Sequence, residues 1–218
     1  MPPECRMQAF TSRPIALAVM AKLPRAGSTK TRLSPPLTPD QAAGVARALL
    51  RDSFARLRDV QGAVLHFAFT GGTAQEAAAL ATPGVALLEQ HGDDLGARMA
   101  NAAADLLATH RAVLILGADT LDMEEADLHA AATLLDAPGD RAVLGPATDG
   151  GYWLLGLKQP HHAAFKGMAW STPRVLHDQL ENFARLGVPV GFAATRTDLD
   201  TPDQLAALAP QRRAALGL

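Results

Sequence analysis

The chain of 218 residues has a single cysteine, Cys5, so it can form no internal disulfide and cannot build a multi-cysteine zinc site. That cysteine sits in the stretch MPPECRMQAFTSRP, which reads as an unstructured extension, and an inert thiol is expected there. Long apolar runs are also lacking. The longest, IALAVMA and AVLILGA, fall far short of the roughly 20 residues that a bilayer span needs. The N-terminus shows no sustained apolar segment ending in a cleavage signature, so no secretory signal is expected and a cytoplasmic location is. Nor does one sign of charge dominate. With 20 Lys+Arg against 22 Asp+Glu the formal net charge is -2, which argues against the broad basic face of a general nucleic-acid binder. The seven histidines show no HExxH spacing and no GxSxG elbow occurs, so zinc-protease and serine-hydrolase chemistry have no foothold.

The chain does have a 48% hydrophobic content, enough to bury one sizeable core. Short β-like runs alternate with longer Ala/Leu-rich helical patterns. Strands are expected near 15–20, 63–69, 84–88, 112–117, 141–145, 152–157 and 188–193, and helices near 39–58, 73–81, 94–109, 124–136, 173–186 and 202–208. Thr38, Thr172 and Thr201 each precede a proline, placing a hydroxyl cap before a residue whose missing N–H costs nothing in a first helical turn. Continuous apolar strands imply a sheet covered on both faces. The expected class is therefore α/β, a three-layer α/β/α sandwich around a mostly parallel mixed sheet, with residues 1–14 a flexible N-terminal extension and 15–218 one domain.

Ligands of such sheets bind outside the carboxyl ends of the strands, and the polar clusters fall there. After the first strand come Lys22, Arg25, Lys30 and Arg32 around Gly27 with no acid among them. Gly27 can turn the backbone, and Lys30 and Arg32 with the Thr31 hydroxyl can surround phosphate oxygens. The spacing is not a Walker A loop, because Ser28 and Thr29 separate the glycine from the lysine; a solvated basic loop is the plainer alternative. GADTLD follows the most hydrophobic strand and sets Asp119 at its end, a candidate Mg2+ ligand opposite the basic loop. Asp122 fits a helix cap instead. In TDLDTPDQL, Asp198 and Asp200 fall on one side of an extended segment, and Thr201 can cap the next helix alone, leaving Asp200 free. Asp149, Gly150 and Gly151 form a turn signal followed by Tyr152, where a carboxylate and an aromatic could face a substrate or simply close a hairpin. In GDDLGARM, Asp93 or Asp94 can cap a helix whose positive end, with Arg98, could meet a phosphate.

The ordered blocks AKLPRAGSTKTRL, GDDLGARM, GADTLDM, DGGYWLLGL, WSTPRVL and DLDTPDQL, spanning about residues 15 to 208, resemble the radical-SAM/selenodomain-associated transferase 1 family of the nucleotide-diphospho-sugar transferase superfamily. That resemblance implies a GT-A fold. It implies that Gly27, Lys30 and Arg32 hold nucleotide phosphates, and that Asp119, with Asp198 and Asp200, binds Mg2+ or Mn2+; from their place in the same loop and at a helix start, Lys22, Thr31 and Arg98 are expected to join the phosphate set. Lys30, Asp119 and Asp149 are expected to serve catalysis, and Gly150, Gly151, Tyr152 and Trp170 to bound the acceptor. The family commonly has a proline in the turn after its metal-binding aspartate; Leu121, Asp122 and Met123 stand here, implying a less rigid turn. The expected activity is glycosyl transfer from a nucleotide sugar to a small acceptor. The alternatives are nucleotidyl transfer from an NTP with release of pyrophosphate, and a non-catalytic nucleotide-binding module. A homodimer is compatible with the sequence.

Overall fold

Alternation along the first strand decides the architecture. In β1 (Ile15–Lys22) the side chains of Ile15, Leu17 and Val19 belong to one apolar cluster and those of Ala16 and Ala18 to another, and all five are buried. A strand apolar on both faces must be covered on both. The structure, a computed structural model, describes residues 13–218. The expected extension over 1–14 thus lies outside the described residues, Cys5 included, except for Arg13 and Pro14. Pro14 is docked, its carbonyl accepting from the Arg111 N–H at 3.2 Å.

Six further strands complete one sheet: β2 (Ala63–Thr70), β3 (Ala86–Glu89), β4 (Ala112–Gly117), β5 (Ala142–Pro146), β6 (Tyr152–Leu157) and β7 (Val190–Phe192), in the order β3-β2-β1-β4-β6-β5-β7. Every pairing is parallel except those of β6, which runs against β4 and β5. The start of β6, at Tyr152, therefore lies at the same rim as the carboxyl ends of the other strands. On the Leu17 face pack α1 (Pro39–Leu57), α2 (Ala74–Leu80) and α4 (Glu125–Asp136), through Leu50, Phe54, Ala77, Leu128 and Leu135. On the Ala16 face pack α3 (Leu95–Leu107) and α5 (Val175–Arg185), through Met99, Leu106 and Phe183. The α/β/α sandwich with a mostly parallel mixed sheet is the observed fold. Two short helices, α6 (Pro202–Ala206) and α7 (Pro210–Ala215), end the chain, the second unanticipated in the sequence. No helix among the described residues is long and apolar enough to cross a membrane.

The caps act as the side chains dictate. Thr38 and Thr201 each accept from the backbone N–H three residues on, and Gln41 and Gln204 close the reciprocal bond; Asp94 accepts from Ala97 N at 2.7 Å to start α3. Such caps contribute about 1 kcal/mol each. Thr172 is different. Its hydroxyl donates to Ala169 O at 2.7 Å and accepts from Arg174 N, holding a loop, and α5 starts only at Val175. Asp122 does not cap α4 either: Glu124 is the N-cap, and its N–H bonds to Asp127.

A third, smaller apolar cluster positions the site. Leu33, Val45, Leu49, Leu199, Leu205 and Leu216 are buried together, joining the loop after β1 to α1 and to the segment before α6. Positions 33 and 199 are far apart in sequence. Their shared burial brings the residues beside them, Lys30 and Asp200, to the same place.

Candidate functional site

Lys30 is the hub of the carboxyl rim. Its Nζ lies 2.7 Å from Asp119 Oδ2, 2.7 Å from Asp200 Oδ1 and 2.7 Å from the Leu199 carbonyl oxygen. Two of these are hydrogen bonds, to Asp200 and Leu199, and the third is an ion pair, so of the ammonium's three N–H donors at least two are engaged. The side chain is only 5% exposed. Burial alone pulls its pKa down, but the Asp119 and Asp200 carboxylates outweigh that and hold it above the ordinary lysine value. Its backbone is left-handed, φ 52°, a conformation that costs a non-glycine residue on the order of 1 kcal/mol. The next three residues hold that strain in place: Thr31–Leu33 form a 3-10 turn, the Leu33 N–H bonds to the Lys30 carbonyl at 2.9 Å, and Leu33 itself is fully buried.

The acidic partners are set by a short antiparallel pairing. Leu199 N donates to Asp119 O, Leu121 N donates to Thr197 O, each at 3.0 Å, and Thr120 bridges Asp198. With Leu199 turned into the third cluster, Asp198 and Asp200 fall on the other side, but they do different things. Asp200 grips Lys30, whereas Asp198 Oδ1 accepts from the Thr120 hydroxyl at 2.7 Å and has no contact with the ammonium. Burial pushes the Asp198 carboxyl up to about 6; the bond from Thr120 and the Lys30 charge oppose this, and the Asp119 and Asp200 charges add to it. The turn after Asp119, which lacks the proline, is pinned all the same. Besides the Leu121 bond, the Arg56 guanidinium donates to Met123 O at 3.1 Å and Asp122 Oδ1 accepts from Thr197 N. A proline at 121 would have no N–H for Thr197.

A cleft of about 810 Å³ opens at this rim, and Lys22, Lys30, Thr31, Arg32, Asp119, Asp149, Gly151, Tyr152, Trp170 and Asp200 lie on its wall. Gly27, Arg98, Gly150 and Asp198 do not. Gly27 turns the basic loop with φ 72°. Of the four cations in that loop, Arg25 is taken by Glu76 at 2.7 Å, a partner contributed by α2; Lys22 and Arg32 are exposed and form no ion pair among the described residues. Asp149 closes its turn by accepting from Gly151 N at 2.9 Å, and is exposed. The Tyr152 hydroxyl is engaged elsewhere, donating to the buried Gln179 Oε1 at 3.1 Å, and burial holds its pKa far above the usual phenol value.

Residues 170–173 are a wall that sequence reasoning credited only with Trp170. Ser171, Thr172 and Pro173 all line the cleft. Ser171 is left-handed, φ 62°, and with Lys30 it makes the two non-glycine residues of positive φ among the described residues, both at this cleft. Two glycines admit the loop. A Cβ on Gly150 (φ 91°) would stand 2.3 Å from Pro173 O, and one on Gly96 would stand 2.8 Å from the Trp170 ring. Those glycines, in GDDLGARM and DGGYW, are the trace the loop leaves in the sequence.

This fold is that of the nucleotide-diphospho-sugar transferases. The chain superposes on a protein from Desulfovibrio desulfuricans G20, provisionally described as a nucleotide-diphospho-sugar transferase, with TM-score 0.82 and 27% identity over 91% of this chain and 87% of that one. It shares its fold more distantly with CMP:2-keto-3-deoxy-manno-octonic acid synthetase complexed with CTP (TM-score 0.58, 13% identity, 94% and 98% covered). The same holds for glucosyl-3-phosphoglycerate synthase from Mycobacterium tuberculosis complexed with Mn2+, UDP and glucosyl-3-phosphoglycerate (0.51, 14%, 94% and 78%). Residues 44–172 match the DUF2064 family, described as an uncharacterized protein conserved in bacteria, and the chain belongs to that family. No curated protein matches it at significant similarity.

Proposed function

We propose that the chain is a divalent-cation-dependent transferase that moves a sugar from a nucleoside-diphosphate sugar to the hydroxyl of a small acceptor. The observation that carries this reading is the convergence of Asp119, Asp200 and Lys30 on one wall of a cleft where Lys22 and Arg32 remain unpaired. Among the described residues no group of three or more His, Cys, Asp or Glu side chains is arranged around a common point. The donor set nevertheless fits a hard cation. Two carboxylate oxygens and one carbonyl oxygen each approach a single cationic centre to 2.7 Å, and Mg2+ or Mn2+ takes such oxygens and completes its shell with phosphate oxygens and water. Asp119 and Asp200 would hold it, with Asp198 behind them; when bound it supplies positive charge against the departing diphosphate.

The chain's own groups do the rest. Gly27 shapes the loop from which Lys22, Arg32 and the Thr31 hydroxyl reach phosphate oxygens, while Arg98, off the cleft wall, is left out of this set. Fixed cations in a partly enclosed site stabilise the growing negative charge without reorganising at the moment of reaction. Gly151, Tyr152 and Trp170 bound the acceptor side, Gly150 serves only to admit the Pro173 backbone beside them, and the exposed Asp149 carboxylate takes the acceptor proton as the new C–O bond forms and the bond from the sugar to the diphosphate breaks. The similarity to the Desulfovibrio protein favours a sugar nucleotide over an NTP as donor, in keeping with the resemblance to the radical-SAM/selenodomain-associated transferase 1 family. The test is product analysis with Mn2+, a panel of sugar nucleotides and NTPs, and small polyol acceptors. Nucleoside diphosphate should be released from a sugar nucleotide. Release of pyrophosphate from an NTP would replace this reading with nucleotidyl transfer, and binding without turnover would reduce the protein to a nucleotide-binding module.

A further inference from the structure

The Lys30 ammonium is already enclosed. Three oxygens stand 2.7 Å from Nζ, Asp200 and the Leu199 carbonyl as hydrogen-bond acceptors and Asp119 as an ion-pair partner, and the side chain is buried. A phosphate cannot be added to that shell without removing an acceptor from it. The two acceptors that carry charge, Asp119 and Asp200, are those that the metal-dependent reading assigns to the cation. One position therefore has two claimants. Resting on that reading, we infer that the Lys30 ammonium is a resident substitute for the divalent cation, and that the metal and a diphosphate enter together by exchange. The metal takes Asp119 and Asp200, and Lys30, released, turns to the diphosphate.

Charge balance gives the exchange its direction. Two carboxylates facing one ammonium make a compact group of net charge -1. A dication entering alone would take the acceptors of a buried cation and leave the two positive centres adjacent, an arrangement that low local dielectric penalises heavily. A dication entering with a diphosphate brings the replacement acceptors with it. The left-handed Lys30 backbone, φ 52°, fixes the base of the side chain beside both positions, so the change needed is in side-chain rotamer rather than in the loop. Lys22 and Arg32, exposed on the same wall and unpaired among the described residues, need no such release and can meet the phosphates first. In the absence of phosphate, then, the protein's own cation should keep the metal out.

Titration of the full-length protein with Mn2+ alone, monitored by the electron paramagnetic resonance of the free ion, tests this. Lys30→Met, which keeps the stem and removes the charge, should bind Mn2+ roughly tenfold or more tighter than wild type, and adding Asp119→Asn should abolish the gain. A wild-type affinity equal to that of Lys30→Met would overturn the exchange while leaving metal dependence standing. Should Lys30→Met fail to fold, the wild type itself answers. The chain has four lysines, Lys22, Lys30, Lys158 and Lys166, and the buried ammonium should give its own signal in a proton–nitrogen spectrum of lysine-labelled protein. That signal should persist with Mg2+ alone and shift or vanish when Mg2+ and inorganic pyrophosphate are added together. Loss with Mg2+ alone, or persistence with both, would contradict the proposal. No metal binding to any sample, with or without pyrophosphate, would overturn the metal-dependent reading and the exchange with it.

Discussion

The two rims of the sheet use charge in opposite ways. At the amino rim the contacts are between elements close in sequence: Arg111 pairs with Asp136, and Lys158 donates to the carbonyls of Ala137 and Gly139, which close the end of α4. Arg111 and Asp136 are 38% and 54% exposed. At the carboxyl rim Lys30 reaches Asp119 and Asp200 from far away in the sequence and is buried while doing so. Exposed pairs between neighbours fasten loops and contribute little, typically under about 1 kcal/mol. A buried ammonium between two carboxylates contributes little net stability after desolvation either, yet it holds three distant segments in one geometry. Charge concentrated at such cost marks the rim where chemistry is expected.

The largest effect should come from the carboxyl rim. Asp119→Asn leaves the volume unchanged and removes the charge; product release from a sugar nucleotide should fall by on the order of 10³-fold, while circular dichroism stays that of wild type. Next comes the wall beside it. Gly150→Ala places a Cβ 2.3 Å from Pro173 O at φ 91°, and the 170–173 loop must move. A destabilisation of about 2 kcal/mol is expected, read as a fall in Tm of roughly 4–8 °C, with altered fluorescence from Trp170.

Much of the fold was legible in the order of the residues. The two-faced burial of β1, the hydroxyl and aspartate caps at Thr38, Asp94 and Thr201, and the strand-helix alternation are local, and local physics writes them into the sequence. What the sequence hid is what distance brings together. Nothing in GSTKTRL announces that Lys30 is enclosed by residues more than 80 positions on, nor does DGGYW say that the Tyr152 hydroxyl belongs to Gln179. The Arg25 partner is not legible beside it because Glu76 lies on α2, beyond the next strand. Thr172-Pro173 carries the same signal as Thr38-Pro39, yet its hydroxyl serves a loop, because the left-handed Ser171 beside it and the Gly150 contact hold the chain out of the helix until Val175.

The amino-rim side supplies the smaller predictions. His66 on β2 faces His110, two residues before β4, with Nε2 atoms 3.5 Å apart and ring centroids at 5.0 Å. Burial, and then the His110 charge, lower the His66 pKa to about 4. An unfolded histidine takes its proton near pH 6.5. Between those values the unfolded chain binds more protons than the folded one, so this contribution to stability is present above about pH 6.5 and is lost as pH falls towards 4. Urea unfolding at pH 7 and pH 5 should differ by roughly 1–2 kcal/mol more for wild type than for His66→Leu, after discounting for the partial exposure of the ring. Smallest of all, Arg111→Ala should change stability by less than about 0.5 kcal/mol at either pH; a loss of several times that would put the two rims on the same footing.

The most direct measurement is the melting temperature of wild type and Asp119→Asn against a panel of nucleoside diphosphates and sugar nucleotides, each with and without Mn2+. A ligand that binds only the native state, present at 100 times its Kd, stabilises by about 2.7 kcal/mol. Wild type should rise with at least one nucleotide when Mn2+ is present and much less without it, and Asp119→Asn, folded to a similar melting temperature, should not. An equal rise in both proteins, or none in wild type with any nucleotide, would contradict the assignment of the carboxyl rim as a metal-assisted nucleotide site.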